Sequence, residues 1–180
     1  APRRTAEGGT GIGMTRYKTR WTAILLAVAL IGVAFAASAQ ERQSQIDENF
    51  LLLMGARNAG KAGKHDTSVR RYRKLLERDP RLNDARRELG WVLIAAGRVT
   101  EAQEEFRVAL RANPKDAEAW KGILEALRKT DQKDEFLKVL DRLVELEPTR
   151  KDLRMQLALE LHNRSRFTEA ERHIVILLGE

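Results

Sequence analysis

Cysteine is absent from this sequence, and its absence excludes several classes of function. Without thiols the chain has no disulfide framework, no zinc knuckle, no haem-attachment motif, no thiol nucleophile and no acceptor for a bacterial lipid anchor. Aromatic residues make up only 6% of the chain and proline occurs four times, which disfavours a β-sandwich or a β-barrel. Abundant Ala, Leu, Glu, Arg and Lys favour helix. We therefore expect an all-α protein.

Side chains suited to catalysis are also scarce. The three histidines are His65, His162 and His173, and none lies in the H-E-x-x-H spacing of a metal site. GGTGIG at residues 8–13 follows no predicted strand and lacks the Gly-Lys-Ser/Thr ending of a phosphate-binding loop. We predict a protein that is not an enzyme and that holds no cofactor or metal.

Net positive charge is the next feature, and it is unevenly distributed. The formal charge is +7, but residues 1–39 hold five basic residues against one acid, whereas residues 40–180 hold 28 against 25. Basic residues interspersed with acids are typical of a solvated surface, so we predict no nucleic-acid partner.

Residues 14–39 have three parts in a fixed order. An uncharged apolar run extends from Ala23 to Ala36 and is followed by the small-residue sequence Ala37-Ser38-Ala39. Three basic residues precede the run: Arg16, Lys18 and Arg20. The pattern resembles a secretory signal peptide cut after Ala39, so we predict that the rest of the chain is periplasmic or secreted.

An uncleaved anchor is the alternative interpretation of this segment. The apolar run is shorter than the roughly 20 residues that span a bilayer, but Trp21 and Thr22 can lengthen it. Residues 15–37 would then hold the protein in the inner membrane, facing the periplasm. Residues 1–13 match neither signal nor domain and are interpreted as an over-extended start site or a cloning remnant, and residues 40–48 as a linker.

Proline recurs at a fixed interval in the remainder of the chain. Pro80, Pro114 and Pro148 follow the helical-looking runs LLER, FRVALRA and LVEL, and they are 34 residues apart. Proline lacks an N–H and ends helices. The spacing therefore predicts a repeated unit, and we divide residues 49–180 into four: 49–82, 83–116, 117–150 and 151–180.

Apolar residues keep the same register within these units. Two apolar columns four residues apart form one face of a first helix, a third column lies on a second helix, and a turn signal separates the two. The columns are Leu89, Ile123 and Leu157; Ala59, Leu93, Leu127 and Leu161; and Tyr72, Phe106, Leu140 and Ile174, with turns at Gly63, Gly97, Asp131 and Ser165. Each unit is predicted to be helix, turn, helix.

Small residues predict how the two helices of a unit pack. Gly90 and Ala158 in the first helix, with Ala102 and Ala170 in the second, allow close approach of the backbones. Phe106, and Ile174 in the last unit, would fill the remaining space between the two helices.

The unit from Asn83 to Pro114 resembles a tetratricopeptide repeat. Its matching residues are Leu89, Gly90, Leu93, Ala102, Phe106, Ala109 and Pro114. The resemblance covers about residues 47–180. It implies a right-handed α-solenoid of about four units, and a non-catalytic scaffold that binds a peptide or a partner helix in a concave groove lined by the first helices.

Some residues depart from the family pattern. Arg86 and Arg154 replace the usual Trp, which Trp120 supplies once, and Gly55 occupies an apolar column. Because the first unit is the weakest match, we expect its first helix to be frayed.

The helical wheel predicts which residues face the groove. Leu89 and Leu93 face the second helix, and a second stripe lies nearly opposite. The candidate partner-binding residues are Arg57, Arg87, Trp91, Ile94, Lys121, Arg128, Lys129 and Met155. With no partner in its own repeat, Trp91 would anchor an acidic peptide; alternatively it packs against the neighbouring unit.

The last unit leaves an apolar helix face without a cap. Its residues are Ile174, Ile176, Leu177 and Leu178. Such stacks need a polar capping helix, so either this face pairs with another protein or a second copy, or the sequence is truncated. Two rival functions remain. If residues 15–37 are retained as an anchor, the protein is a membrane-tethered subunit of a larger envelope assembly complex. The missing cap suggests the other, the recognition portion of a longer enzyme or secretion component.

Overall fold

The computed structural model describes residues 11–130 and 132–179, with side chains from residue 28 onward. Across these residues the chain forms α-helices and no strand. The helices are α1 Gly11–Lys61, α2 His65–Arg78, α3 Asn83–Ala95, α4 Val99–Ala112, α5 Ala117–Arg128, α6 Lys133–Leu146, α7 Lys151–Asn163 and α8 Phe167–Leu178. The chain divides into two compact units between Glu48 and Asn49.

The second compact unit, residues 49–180, contains all four repeats and is a series of helical hairpins. The end of α1 pairs with α2 through hydrogen bonds from Ser68 and Arg71 to α1 carbonyl groups. Helix α3 then pairs with α4, α5 with α6 and α7 with α8, and the second helix of each pair contacts the first helix of the next. This arrangement confirms the all-α solenoid of about four units.

Turns occur where the repeat pattern places them. Helices α2, α4 and α6 each end two residues before Pro80, Pro114 or Pro148. The turns between the two helices of a hairpin use a residue in the left-handed region. Gly63, Gly97 and Ser165 have φ of 70°, 76° and 60°. Glycine adopts this region without steric cost, and serine does not. The fourth predicted turn residue, Asp131, lies outside the described residues.

The core confirms the repeat columns. Leu89, Leu93, Phe106, Leu140 and Leu157 are each at most 1% exposed. Ile174 occupies the same column as Phe106 but is 42% exposed. The difference arises because Phe106 is covered by the next first helix, and α8 is the last helix described.

Phe106 lies between two first helices that approach closely. A Cβ atom on Gly90 would lie 2.6 Å from the Phe106 ring, and one on Gly122 of the following unit would lie closer still. The packing role predicted for Gly90 is therefore confirmed, and Gly122 performs the same role across the repeat boundary.

The expectation of a frayed first helix is wrong. Helix α1 continues without interruption to Lys61, and residues 40–48, expected to be a linker, are helical within it. Gly55 fits because Arg71 lies across it, with Nη1 donating to the Gly55 carbonyl O at 2.5 Å. Ala56 takes the fully buried position instead, and its carbonyl O accepts from Ser68 Oγ at 2.8 Å.

The residues that replace Trp make the same backbone contact as Trp120. The indole Nε1 of Trp120 donates to the Pro114 carbonyl O at 3.0 Å. Arg86 and Arg154 donate through Nη2 to the carbonyl O of Pro80 and Pro148, at 3.1 and 3.2 Å. In the second and fourth units, an arginine guanidinium thus donates the hydrogen bond that the Trp120 indole donates in the third.

Residues 1–48, the first of the two compact units, contain the predicted export segment. The side chains of Arg16, Lys18 and Arg20 lie outside the described residues, and Ala37-Ser38-Ala39 is helical within α1. From Val28 to Phe35 the large apolar side chains are exposed. No helix among the described residues has an apolar stretch long enough to cross a bilayer. Cleavage after Ala39 stays a prediction.

Candidate functional site

A groove of about 660 Å³ crosses three successive first helices of the solenoid. Helix α3 contributes Trp91, Ile94 and Ala95; α5 and its C-cap contribute Lys121, Leu124, Glu125, Arg128 and Lys129; α7 and its N-cap contribute Arg150, Asp152, Leu153 and Gln156. We call these residues the first-helix groove.

The groove runs diagonally across the helices. It uses the C-terminal half of α3, the middle and end of α5, and the N-terminal half of α7. In repeat register, Gln156 of α7 corresponds to Glu88 of α3. Glu88 lies about one helical turn before Trp91, the first α3 residue of the groove. Successive units of a solenoid are rotated relative to each other, so a straight partner crosses each first helix at a different height.

The floor of the groove is apolar. Leu124 and Leu153 are nearly buried, Ile94 is partly buried, and Trp91 is 38% exposed. A half-exposed indole beside aliphatic side chains is the kind of surface that dominates binding energy at protein interfaces.

Trp91 has a partner within its own repeat, contrary to the wheel-based expectation. Its ring meets Phe106 edge to face, with centroids 5.5 Å apart and an interplanar angle of 72°. The wheel of α3 could not reveal this contact, because Phe106 belongs to α4 and reaches past Gly90. One face of Trp91 therefore packs and the rest remains accessible.

Arg128 and Lys129 carry positive charge that the groove compensates only in part. Both cations contact one carboxylate, Glu125, at 3.6 Å for Arg128 and 3.9 Å for Lys129. Arg128 Nη2 also donates to Gln156 Oε1 at 3.0 Å. Each side chain is nearly half exposed. Two cations on one distant carboxylate leave an excess positive charge at the groove surface.

Lys121 also lines the groove, but its charge is compensated. Its Nζ lies 2.8 Å from Glu147 and 3.0 Å from Glu118. The hydrogen bond to Glu147 raises the pKa of Lys121 above its ordinary value, with Glu118 adding to it against the effect of burial. Because Glu147 follows α6, this pair joins the first helix of the third unit to the segment after its second helix.

Arg150 and Asp152 form a pair at the α7 end of the groove. Arg150 donates to both carboxylate oxygens of Asp152, at 2.8 and 2.6 Å. This hydrogen bonding lowers the pKa of Asp152 to about 2. The carboxylate is therefore charged at neutral pH, and this end of the groove is close to neutral overall.

Three predicted site residues lie outside the groove lining. Arg57 donates to both oxygens of Glu88, at 2.7 and 2.5 Å, and lowers the pKa of that carboxyl. Arg87 contacts Asp84 and also, at 3.0 Å, Asp116, which is the N-cap of α5. Met155 is half exposed beside Gln156.

The structure thus brings together five of the eight predicted residues. These are Trp91, Ile94, Lys121, Arg128 and Lys129. Sequence reasoning missed the α7 contribution, Arg150, Asp152, Leu153 and Gln156, because it assigned the same repeat positions to every unit. A prediction of the α7 lining would have needed the rotation between successive units. That rotation shifts the groove residues of α7 toward its N-terminus.

The histidines form no metal-binding cluster in the described part of the chain. His162 packs edge to face on Phe167 with ring centroids 5.1 Å apart. Burial and the nearby Arg154 lower the pKa of His173. Among described residues, no cluster of three or more His, Asp or Glu is placed to hold a metal.

Comparison with known proteins identifies the repeat. A family model described as tetratricopeptide repeat matches residues 53–117 and 88–152, which together cover more than half of the chain. The chain belongs to the tetratricopeptide repeat family. Units of this family build interaction scaffolds in general.

Individual relatives agree on the fold. Mouse interferon-induced protein with tetratricopeptide repeats 3 is 33% identical over 96 residues, which is 52% of this chain but only 24% of that protein. MamA 41-end from Desulfovibrio magneticus RS-1 matches with a TM-score of 0.61 at 18% identity, covering 73% of this chain and 74% of that one.

A third comparison concerns YrrB, whose structure is described as a tetratricopeptide repeat protein with an unusual peptide-binding site. It matches with a TM-score of 0.59 at 24% identity, over 71% of this chain and 66% of that one. At these identities the solved structures show a shared fold and nothing further.

Proposed function

We propose that this chain is a non-catalytic interaction scaffold that binds an extended peptide, or a helix of a partner protein, in the first-helix groove. The observation that carries the proposal is an apolar floor that crosses three successive units, with two partly compensated cations, Arg128 and Lys129, on the middle unit. The peptide-binding site named for YrrB supports the same use of the fold.

The groove chemistry defines the ligand. An apolar ligand side chain would pack on the accessible part of Trp91 and on Leu124. An acidic side chain or a terminal carboxylate would then accept hydrogen bonds from Arg128 and Lys129, the two cations with the least compensation. Helix-in-groove and extended-peptide binding both use such alternating contacts.

Selection from a random peptide library on the full chain tests this function. The selected peptides are synthesised and titrated calorimetrically into three proteins: wild type, Arg128→Glu with Lys129→Glu, and Arg111→Glu with Lys115→Glu. The last variant makes the same charge change at exposed positions on α4 and its C-terminal turn, outside the groove. We expect acidic and bulky apolar residues in the selected peptides and loss of binding only in the groove variant. Equal affinity for all three proteins would contradict the proposal.

We further propose that residues 14–39 export the scaffold to the periplasm, where it positions partner proteins of the envelope. The basic start, the apolar run and the A-x-A site support export. Leu26→Asp with Ala29→Asp costs a few kcal/mol of insertion free energy at each site and should retain the protein in the cytoplasm. Normal recovery of that variant in the periplasmic fraction would contradict export.

Retention of residues 15–37 as an anchor is the second candidate for this segment. The mass of the N-terminal peptide recovered from cells distinguishes the two outcomes. A chain that starts at Gln40 supports cleavage, and a chain that keeps the apolar run supports a membrane-tethered subunit.

A further inference from the structure

The net positive charge of the repeat region is concentrated in one short segment. Residues 61–81, which contain α2, hold eight basic residues against three acids, whereas residues 82–180 hold 18 against 19. The even balance beyond α2 is typical of a solvated surface. The segment around α2 is not balanced in this way.

The fold presents this charge on one side of α2. The apolar side of the helix is buried through Val69, Tyr72 and Leu75. Arg70, Lys74 and Arg78 follow at intervals of four residues on the opposite side and are exposed, spanning about 12 Å along the helix. We call these three residues the α2 basic face.

Among the described residues, two cations of this face, Arg70 and Lys74, have no acidic partner. Lys74 makes no ion pair with any described residue, and Arg70 bonds only to the neutral hydroxyl of Thr67, at 3.1 Å. The repeat pattern does not require these cations, because α4 has Glu104, Val108 and Ala112 at the matching positions. Helix α6 has two cations there, Lys138 and Arg142, and α2 has a cation at all three positions.

We propose that the α2 basic face binds the surface of an anionic phospholipid bilayer. Clusters of four to eight Lys and Arg on a helix are the recognised form of such sites, since each cation gains attraction from the negative surface potential. Additional cations flank the face at Lys61, Lys64 and Arg81.

The composition of the face favours a lipid surface over single-stranded nucleic acid. Single-stranded nucleic acids are held by aromatic side chains that stack on the bases. Tyr72 is the aromatic residue of α2, and it is 2% exposed, with its hydroxyl donating to Glu88. The face therefore offers point charges and no stacking platform.

Vesicle sedimentation with the full chain tests this proposal. Vesicles of phosphatidylcholine alone measure any binding through the N-terminal apolar segment, and vesicles with added phosphatidylglycerol measure the anionic component. The test variant is Arg70→Glu with Lys74→Glu, and the matched variant is Arg111→Glu with Lys115→Glu, which changes the net charge equally.

We expect phosphatidylglycerol to strengthen wild-type binding, and about 1 M NaCl, where the Debye length is ~3 Å, to abolish the gain. In the α2 variant, the factor by which phosphatidylglycerol strengthens binding should fall at least about tenfold. The matched variant should keep most of that factor. The proposal is overturned if phosphatidylglycerol has no effect, if both variants lose equally, or if the face binds a short DNA duplex and not the vesicles.

Discussion

Trp91 and Phe106 meet edge to face across the second repeat, with ring centroids 5.5 Å apart. Phe106 is fully buried between α3 and α5, whereas more than a third of Trp91 is accessible in the groove. The core and the candidate binding surface are therefore joined at one aromatic pair, so a change at Trp91 acts on both.

Two substitutions at Trp91 separate binding from packing. Trp91→Ala should weaken peptide binding by about 2 kcal/mol or more and should also lower the free energy of unfolding by about 0.5–1.5 kcal/mol, because the aromatic pair is lost. Trp91→Phe keeps a ring against Phe106 and should restore most of the stability. Calorimetric titration and chemical denaturation measure the two quantities. A Trp91→Ala protein with weaker folding but unchanged affinity would show that the indole serves packing alone.

Phe106 should dominate the stability of its repeat. Phe106→Ala removes a fully buried ring held between Gly90 and Gly122 and should cost about 3–5 kcal/mol. Glu104→Ala on the same helix removes an exposed carboxylate paired with Arg107 and should cost no more than about 0.5 kcal/mol. Urea denaturation followed by circular dichroism compares them. Equal losses would mean that the 34-residue register is misplaced.

Arg86 offers a test of how arginine replaces the Trp of the family pattern. Arg86 donates to Pro80 and also pairs with Glu105 at 2.7 Å, whereas Trp120 has Val139 at the position matching Glu105. Arg86→Trp should keep the bond to Pro80 but leave Glu105 without its cation, at a cost of about 1–3 kcal/mol.

Adding Glu105→Val to Arg86→Trp recreates the pair found in the third unit. The double variant should recover at least half of that cost, which a double-mutant cycle on the free energy of unfolding measures directly. Strictly additive losses would show that the two positions do not form a unit.

Ser165 should be a source of backbone strain. Its φ of 60° lies in the left-handed region that Gly97 occupies at the same repeat position. Ser165→Gly should stabilise the fold by about 0.5–1 kcal/mol, and Gly97→Ser should destabilise it by a similar amount. Thermal melts of the two variants should shift in opposite directions, and a shift in the same direction would remove the strain argument.

The sequence was sufficient for features that repeat. Proline spacing located the helix ends, and the 34-residue columns located buried residues such as Leu93 and Leu140, because every interior unit meets the same neighbours. Deviations were harder to predict. Gly55 suggested a frayed helix, since nothing in the sequence indicates that Arg71 lies across it.

The groove was predictable only in part for a related reason. Within α5, helical spacing placed Lys121, Arg128 and Lys129 on one face correctly. Between units, the rotation of the solenoid moves the lining of α7 toward Arg150 and Gln156, and no single-helix wheel contains that rotation. Ion pairing also lay beyond the pattern, because Arg57 pairs with Glu88 of the next unit and Arg87 pairs with Asp116, the N-cap of α5.

The central claim is that the first-helix groove binds an acidic or carboxylate-bearing ligand through Arg128 and Lys129. The direct measurement is the Kd of a library-selected peptide for wild type and for Arg128→Glu with Lys129→Glu, at low and high salt. Two reversed charges near the ligand should weaken binding by about 2 kcal/mol or more in low salt, with slower association and weaker salt dependence. The variant with Arg111→Glu and Lys115→Glu should match wild type. A groove variant that binds the peptide with wild-type affinity, while folding normally by circular dichroism, would contradict the account.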